Sequence, residues 1–122
     1  MNTYCNPIKK QGDFADPFVL RYNGRYYLYG TNPDVRCWSS EDLVNWTLEG
    51  ATVLEDEFPE LVPFAPEVVY WNGAFYMYTS PHGFGHYVLK SDSPTGPFRK
   101  ITGNVGHSID FSIFIDDDGQ WY

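Results

Sequence analysis

One phrase recurs three times along this chain and constrains its fold more than any other feature: Gly24-Arg25-Tyr26-Tyr27, Gly73-Ala74-Phe75-Tyr76 and Gly119-Gln120-Trp121-Tyr122, with the glycines 49 and then 46 residues apart. Each phrase follows a turn signal, Asn23-Gly24, Asn72-Gly73 or Asp118-Gly119. Asn-Gly and Asp-Gly supply the two positive-φ positions of a tight hairpin turn. A period of roughly 40–50 residues with a turn glycine and an aromatic per repeat is what one four-stranded propeller blade occupies. The sequence therefore predicts an all-β fold, a partial β-propeller of about two and a half blades. No segment shows sustained helical periodicity.

The blades are expected at about 14–48 and 64–98, with the start of a third at about 109–122, all within a single partial propeller over 1–122. In the first, Asp16 to Tyr22 and Arg25 to Thr31 read as a hairpin, and Val35 to Ser39 as a third strand leading into the turn Ser40-Glu41-Asp42-Leu43-Val44-Asn45-Trp46. The second repeats the plan with Phe64 to Trp71, Ala74 to Ser80, His86 to Ser91 and the turn Asp92 to Phe98. The third supplies a strand from Ile109 to Ile115 and the tip Asp116-Asp117-Asp118-Gly119, read as a solvated hairpin end rather than a calcium loop. Glu49 to Pro63 and Arg99 to Ser108 are expected to be linkers between repeats. A closed propeller needs four or more blades, so the sequence reads as a fragment or truncated product.

Charge narrows the partners. Sixteen acidic against eight basic residues give a net charge of −8, which argues against nucleic acid and against an anionic membrane surface. The opening Met1-Asn2-Thr3-Tyr4 lacks the charged and apolar regions of an export signal, and no apolar run reaches membrane-spanning length. The sequence as written thus predicts a cytoplasmic product, with a secreted full-length form left open. Cys5 and Cys37 have neither metal-ligand spacing nor the density of a disulfide scaffold and read as free, partly buried thiols. His82, His86 and His107 are dispersed, without close metal-ligand spacing.

In a propeller the innermost strand of each blade lines the central channel, so the starts of the first strands converge on one opening. Those starts are Ala15-Asp16-Pro17, Ala65-Pro66-Glu67 and Ile109-Asp110-Phe111. Allowing one extra residue in the third turn, Asp16, Ala65 and Asp110 fall at the same rim position. Two carboxylates at one opening suit glycoside hydrolysis, in which one activates water and the other keeps protonation states apart. An Asp ahead of a strand also serves as an ordinary Asx turn, and both readings apply to Asp16 and Asp110 at this point. Glu67 aligns with Phe18, one residue deeper than the paired prolines, and reads as a turn or channel-lining contact.

Phe14-Ala15-Asp16-Pro17-Phe18-Val19, Ser40 to Trp46, Phe64-Ala65-Pro66-Glu67, Ser91 to Phe98 and Ile109 to Gly119, in that order, resemble the N-terminal half of glycoside hydrolase family 43. The resemblance implies a five-bladed propeller and an inverting arabinofuranosidase, β-xylosidase or arabinanase of plant polysaccharide breakdown, hence a carbohydrate substrate. It implies that Asp16 is the general base and that Asp110 tunes and orients the acid. The family's acid is a Glu of the fourth blade, beyond Tyr122, so the chain alone is expected to be inactive. Phe64 stands where the family often has Trp and reads either as a core aromatic or as a ring that stacks on a sugar; His82, in the loop after the second strand of repeat two, reads either as a surface loop residue or as a second substrate contact. Phe111 stands where the family commonly has Pro. The resemblance implies that no cofactor is required; it leaves room for a channel calcium in the full-length family, but no ligand set for it is visible in this sequence. The related fructan and sucrose hydrolases carry Asn and Arg where this chain has Ala15 and Ile109. A non-catalytic carbohydrate- or protein-binding propeller is the alternative of a different class. An incomplete ring exposes a blade face, so a homo-oligomer is expected.

Overall fold

A computed structural model describes residues 14–32, 35–58, 62–106 and 108–122. It contains two four-stranded antiparallel sheets, each a simple meander. The first comprises β1 (Ala15–Tyr22), β2 (Arg25–Thr31), β3 (Arg36–Ser40) and β4 (Thr47–Ala51); the second comprises β5 (Pro63–Trp71), β6 (Ala74–Pro81), β7 (Tyr87–Ser91) and β8 (Arg99–Lys100). A short 3₁₀ turn, Glu55–Glu57, lies between the sheets. Both hairpin turns have the backbone the sequence requires: Asn23 and Gly24 at φ 48° and 77°, Asn72 and Gly73 at 47° and 85°. They close directly on Tyr22↔Arg25 and Trp71↔Ala74.

The core lies between the two sheets. Tyr29 and Cys37 of the first and Val68, Phe75, Met77 and Leu89 of the second are buried together with Val35, Val53, Phe58 and Phe98, and Phe18, Leu20 and Tyr22 of β1 pack against them. Alternate residues of β1 thus face the neighbouring sheet, as a strand's period of two dictates. The second sheet's last turn returns to the first: the Phe98 N–H donates to the Thr52 carbonyl at 2.8 Å, and Val53 bridges Phe98 in parallel.

The turns between third and fourth strands are held by short polar side chains. The Asp42 carboxylate accepts the Val44 N–H at 2.9 Å, the Asn45 N–H at 2.8 Å and the Asn45 amide at 2.8 Å. These donors all favour the ionised form and hold its pKa well below the usual carboxylate range, the Asn45 N–H most strongly. Ser91 and Ser93 play the matching part in the second sheet, accepting the N–H groups of Ser93 and Thr95.

Three expectations need correction. Residues 49–51 and 99–100, read as linker, belong to the fourth strands β4 and β8. β4 is an exposed edge carrying Thr, Glu and Gly, and β8 is two residues long, so neither shows the half-buried alternation by which a strand is recognised. Ile109 to Ile115 is not a continuous strand. It makes one antiparallel bridge, Ile115↔Trp121, reinforced by paired backbone bonds between Phe114 and Tyr122 at 3.0 and 2.8 Å. Trp121 nevertheless seats the third repeat, its ring 5.9 Å from Trp71 and 5.5 Å from Tyr76. Cys37 is free and buried rather than partly buried, while Cys5 and His107 lie outside the described residues.

Candidate active site

The first strand of each sheet is broken at the same place. Pairing slips between Ala15 and Phe18 in β1 and between Phe64 and Glu67 in β5, leaving Asp16-Pro17 and Ala65-Pro66 in bulges. A bulge re-aims the side chains it contains and bends the strand. Asp16, Ala65 and Asp110 all adopt left-handed backbone, at φ 51°, 48° and 66°. That conformation is uncommon for residues other than Gly, Asn and Asp, so its appearance at three aligned positions marks a shared backbone device. Ala65 occupies it without an Asp side chain to help.

Asp16 is exposed, and its Oδ2 accepts the Thr31 hydroxyl at 2.6 Å. The same Thr31 oxygen accepts the Ala65 N–H at 2.9 Å. The Asp16 carboxylate is thereby joined to the equivalent position of the second sheet. Next to Ala65, the ring of Phe64 stacks on His82 at 5.5 Å between centroids and 12° between planes. Phe64 is half-buried, with one part of its surface open, while His82 is exposed at φ 47° in the turn after β6. The His82 N–H is fixed to the Val62 carbonyl at 2.8 Å. Beyond it Gly83 lies under Ile109: a Cβ on that glycine would sit 3.3 Å from the Ile109 Cδ1. Ile109 precedes Asp110, so bonded neighbours and contacts run along the rim from Asp16 through Thr31, Ala65, Phe64, His82 and Gly83 to Asp110.

Asp110 is exposed and, among the described residues, its side chain makes no hydrogen bond. Its neighbour Phe111 is anchored, stacked on Tyr78 at 5.1 Å and 7° and tilted against the buried His86 at 4.8 Å. Glu67 reaches from β5 to the third repeat. Its Oε1 accepts the Ile113 N–H at 3.0 Å and the Ser112 hydroxyl at 3.3 Å, tying β5 to the third repeat. No group of three or more His, Cys, Asp or Glu among the described residues is arranged to hold a metal ion.

Thr31 was not singled out from the sequence, although a signal exists. The two-residue turn pairs Tyr22 with Arg25, and counting outwards in that register sets Thr31 opposite Asp16; the bulge then shifts the pairing to Ala15↔Thr31. The Glu67 tether gave no such signal, because its partner is a backbone N–H 46 residues away.

Side-by-side four-stranded meanders whose first strands start at a common rim define part of a β-propeller, about two and a half blades in this chain. The chain belongs to glycosyl hydrolases family 43, whose sequence model matches residues 4–122. It is 28% identical over 140 residues to a xylan 1,3-beta-xylosidase of Vibrio sp, covering 98% of this chain and 26% of that protein. It is also 28% identical over 172 residues to an arabinoxylan arabinofuranohydrolase of Bacillus subtilis (strain 168), covering 96% of this chain and 32% of the relative. A crystal structure of a thermostable family-43 glycoside hydrolase superposes with a TM-score of 0.82 at 36% identity, over 98% of this chain and 43% of the other. The chain thus spans about a quarter to a third of the length of these curated relatives.

Proposed function

We propose that this chain contributes the water-activating half of an inverting glycosidase site acting on arabinose- or xylose-containing plant polysaccharides or their oligosaccharides. Family membership and the names of the two relatives support that substrate class. The observation that carries the chemistry is the exposed Asp16 carboxylate, held at a rim bulge by one hydroxyl. In this reading Asp16 takes a proton from water as the water oxygen bonds to the anomeric carbon, and the glycosidic C–O bond breaks on the opposite face of the sugar. The leaving oxygen receives its proton from a general acid assigned to no residue of this sequence. Asp110 tunes and orients that acid electrostatically. Phe64 offers an apolar ring face to the sugar, with His82 beside it. These steps couple two proton transfers to a displacement at the anomeric carbon and call on no cofactor.

The test is Asp16→Ala in a form of the enzyme carrying the complete set of blades. Turnover of aryl arabinofuranoside and xyloside should fall about 10²–10⁴-fold, the usual cost of a lost general base, at an unchanged melting temperature. Activity within about threefold of the parent would overturn the assignment and favour the non-catalytic binding propeller. We propose in addition that the chain by itself associates with a second copy. Ile109, Phe111, Phe114 and Tyr122 are 38%, 39%, 60% and 67% exposed along the third repeat, a large apolar surface for so short a segment. Light scattering after size exclusion should show an oligomer at tens of micromolar; a 14.1 kDa monomer would refute this.

A further inference from the structure

We propose that Thr31 is a positioning residue, whose hydroxyl aims the Asp16 carboxylate and locks it to the second blade. The direction of the two hydrogen bonds is forced. The Ala65 N–H has only a proton to give, so the Thr31 Oγ1 must accept it at 2.9 Å. The hydroxyl proton is then free to be donated, and Asp16 Oδ2 lies 2.6 Å away. That length is typical of a hydroxyl bonded to a carboxylate, a stronger class than neutral pairs. Accepting from an amide polarises the hydroxyl and strengthens what it donates. Among the described residues Asp16 has no other hydrogen-bond donor. Oδ2 is therefore pinned while Oδ1 stays open on an exposed residue, leaving one carboxylate oxygen oriented and the other available to a water molecule.

The second blade shows that this arrangement is not a mere consequence of the fold. Ser80, opposite Phe64, stands where Thr31 stands opposite Ala15, and Ala65 stands where Asp16 does. A hydroxyl residue recurs at the position, but there is no carboxylate for it to hold, and Ser80 is 2% exposed. Of these two blades, only the first gives the hydroxyl a carboxylate to orient. Since the bulge removes ladder hydrogen bonds on either side of Asp16, the backbone alone fixes this side chain poorly. Thr31 supplies the missing constraint from the neighbouring strand, and the Ala65 N–H fixes Thr31 from the neighbouring blade.

This inference rests on the proposed role of Asp16, and the test separates the two. In the complete enzyme, Thr31→Val keeps the shape of the side chain and removes the donor. A misaimed base should lower kcat about 10²-fold. KM should hold, because Thr31 is not proposed to touch the substrate, and Thr31→Ser, which keeps the hydroxyl, should recover kcat to within about threefold of the parent. Near-parental kcat in Thr31→Val alongside an inactive Asp16→Ala would overturn the role of Thr31 and leave that of Asp16 standing. An active Asp16→Ala would overturn both. A readout that does not depend on Thr31→Val folding is the Ala65 amide in the ¹H–¹⁵N spectrum of the chain as it stands. Asp16→Ala should move that resonance upfield, because the hydroxyl loses its polarising partner, although the two residues are 49 apart in sequence. An Ala65 amide indifferent to Asp16→Ala would overturn the relay whatever the kinetics.

Discussion

The Tyr29 hydroxyl donates a 2.6 Å hydrogen bond to the Pro94 carbonyl, 65 residues further along the chain. Tyr29 is fully buried on the second strand of the first blade, and Pro94 lies in the last turn of the second. The bond crosses the blade interface beside an edge-to-face contact between Tyr29 and Phe98 at 6.5 Å. Removing the hydroxyl leaves a partly buried carbonyl without its partner while the ring packing is retained. Tyr29→Phe should therefore lower unfolding stability by about 1–2 kcal/mol. Urea unfolding followed by Trp fluorescence measures it, and a midpoint equal to the parent's would show that the bond contributes nothing net.

Gly96 makes the closest backbone approach in the same turn. At φ +85° its missing Cβ would lie 2.6 Å from the Thr52 carbonyl oxygen and 3.0 Å from the Thr52 Cα. Thr52 belongs to the segment between the blades, so the obstruction is rigid backbone rather than a movable side chain. Gly96→Ala should cost more than the ~1 kcal/mol that left-handed backbone alone imposes on an L-residue, and should separate the Phe98 N–H from the Thr52 carbonyl. Gly24→Ala is the control, since no atom lies within 4 Å of a Cβ there. Equal losses for the two variants would contradict the steric argument.

The hairpins were legible because Asn-Gly demands two left-handed residues, and the structure provides them at Asn23-Gly24 and Asn72-Gly73. The rim position was legible because the repeat brought Asp16, Ala65 and Asp110 level, and their backbones agree. Local sequence could not show the bulges, since Ala-Asp-Pro and Ala-Pro-Glu read equally well as the start of a regular strand. The fourth strands were hidden by exposure: Thr47 to Ala51 alternates with nothing buried beneath it. The Glu67 tether joins residues that only tertiary packing brings together, so periodicity carries no trace of it, whereas the Phe64–His82 stack falls at the open end of the β5–β6 hairpin, where Phe64 pairs with Ser80.

Burial pushes the Cys37 thiol up to about 12, with the neighbouring Glu49 charge adding to the effect and the Tyr29 hydroxyl opposing it. In the unfolded chain the thiol titrates near its ordinary value of 9.0. The native state thus holds its proton over a range in which the unfolded state releases it. Stability from this group is fully present below about pH 9 and declines as pH rises towards 12. Burial also drives the Tyr29 phenol upward, so that group adds to the alkaline loss above its ordinary 10.0. In a Cys5→Ser background, Cys37 should resist thiol reagents at pH 8 until the chain is unfolded, and Cys37→Ala should flatten the decline above pH 9. Rapid labelling of the native chain at pH 8 would show that the thiol is not enclosed.

Glu67 holds the third repeat through one carboxylate oxygen, which accepts the Ile113 N–H at 3.0 Å and the Ser112 hydroxyl at 3.3 Å. The segment it holds has little else of its own, since the bridge between Ile115 and Trp121 is isolated. Asp110 lies three residues before Ile113, so the tether sets how firmly that carboxylate is presented at the rim. Glu67→Gln keeps an acceptor oxygen and should preserve the arrangement, whereas Glu67→Ala removes it and frees the Ile113 amide. Native-state hydrogen exchange should then show Ile113 losing protection in Glu67→Ala, by about tenfold for a bond of roughly 1.4 kcal/mol, with Glu67→Gln close to the parent. The amides of β5 and β6, held by their own ladder, should exchange as before. A uniform loss of protection across the second blade would mean that Glu67 supports the sheet itself, and an unaltered Ile113 would mean that packing of Trp121 and Phe111 alone secures the third repeat.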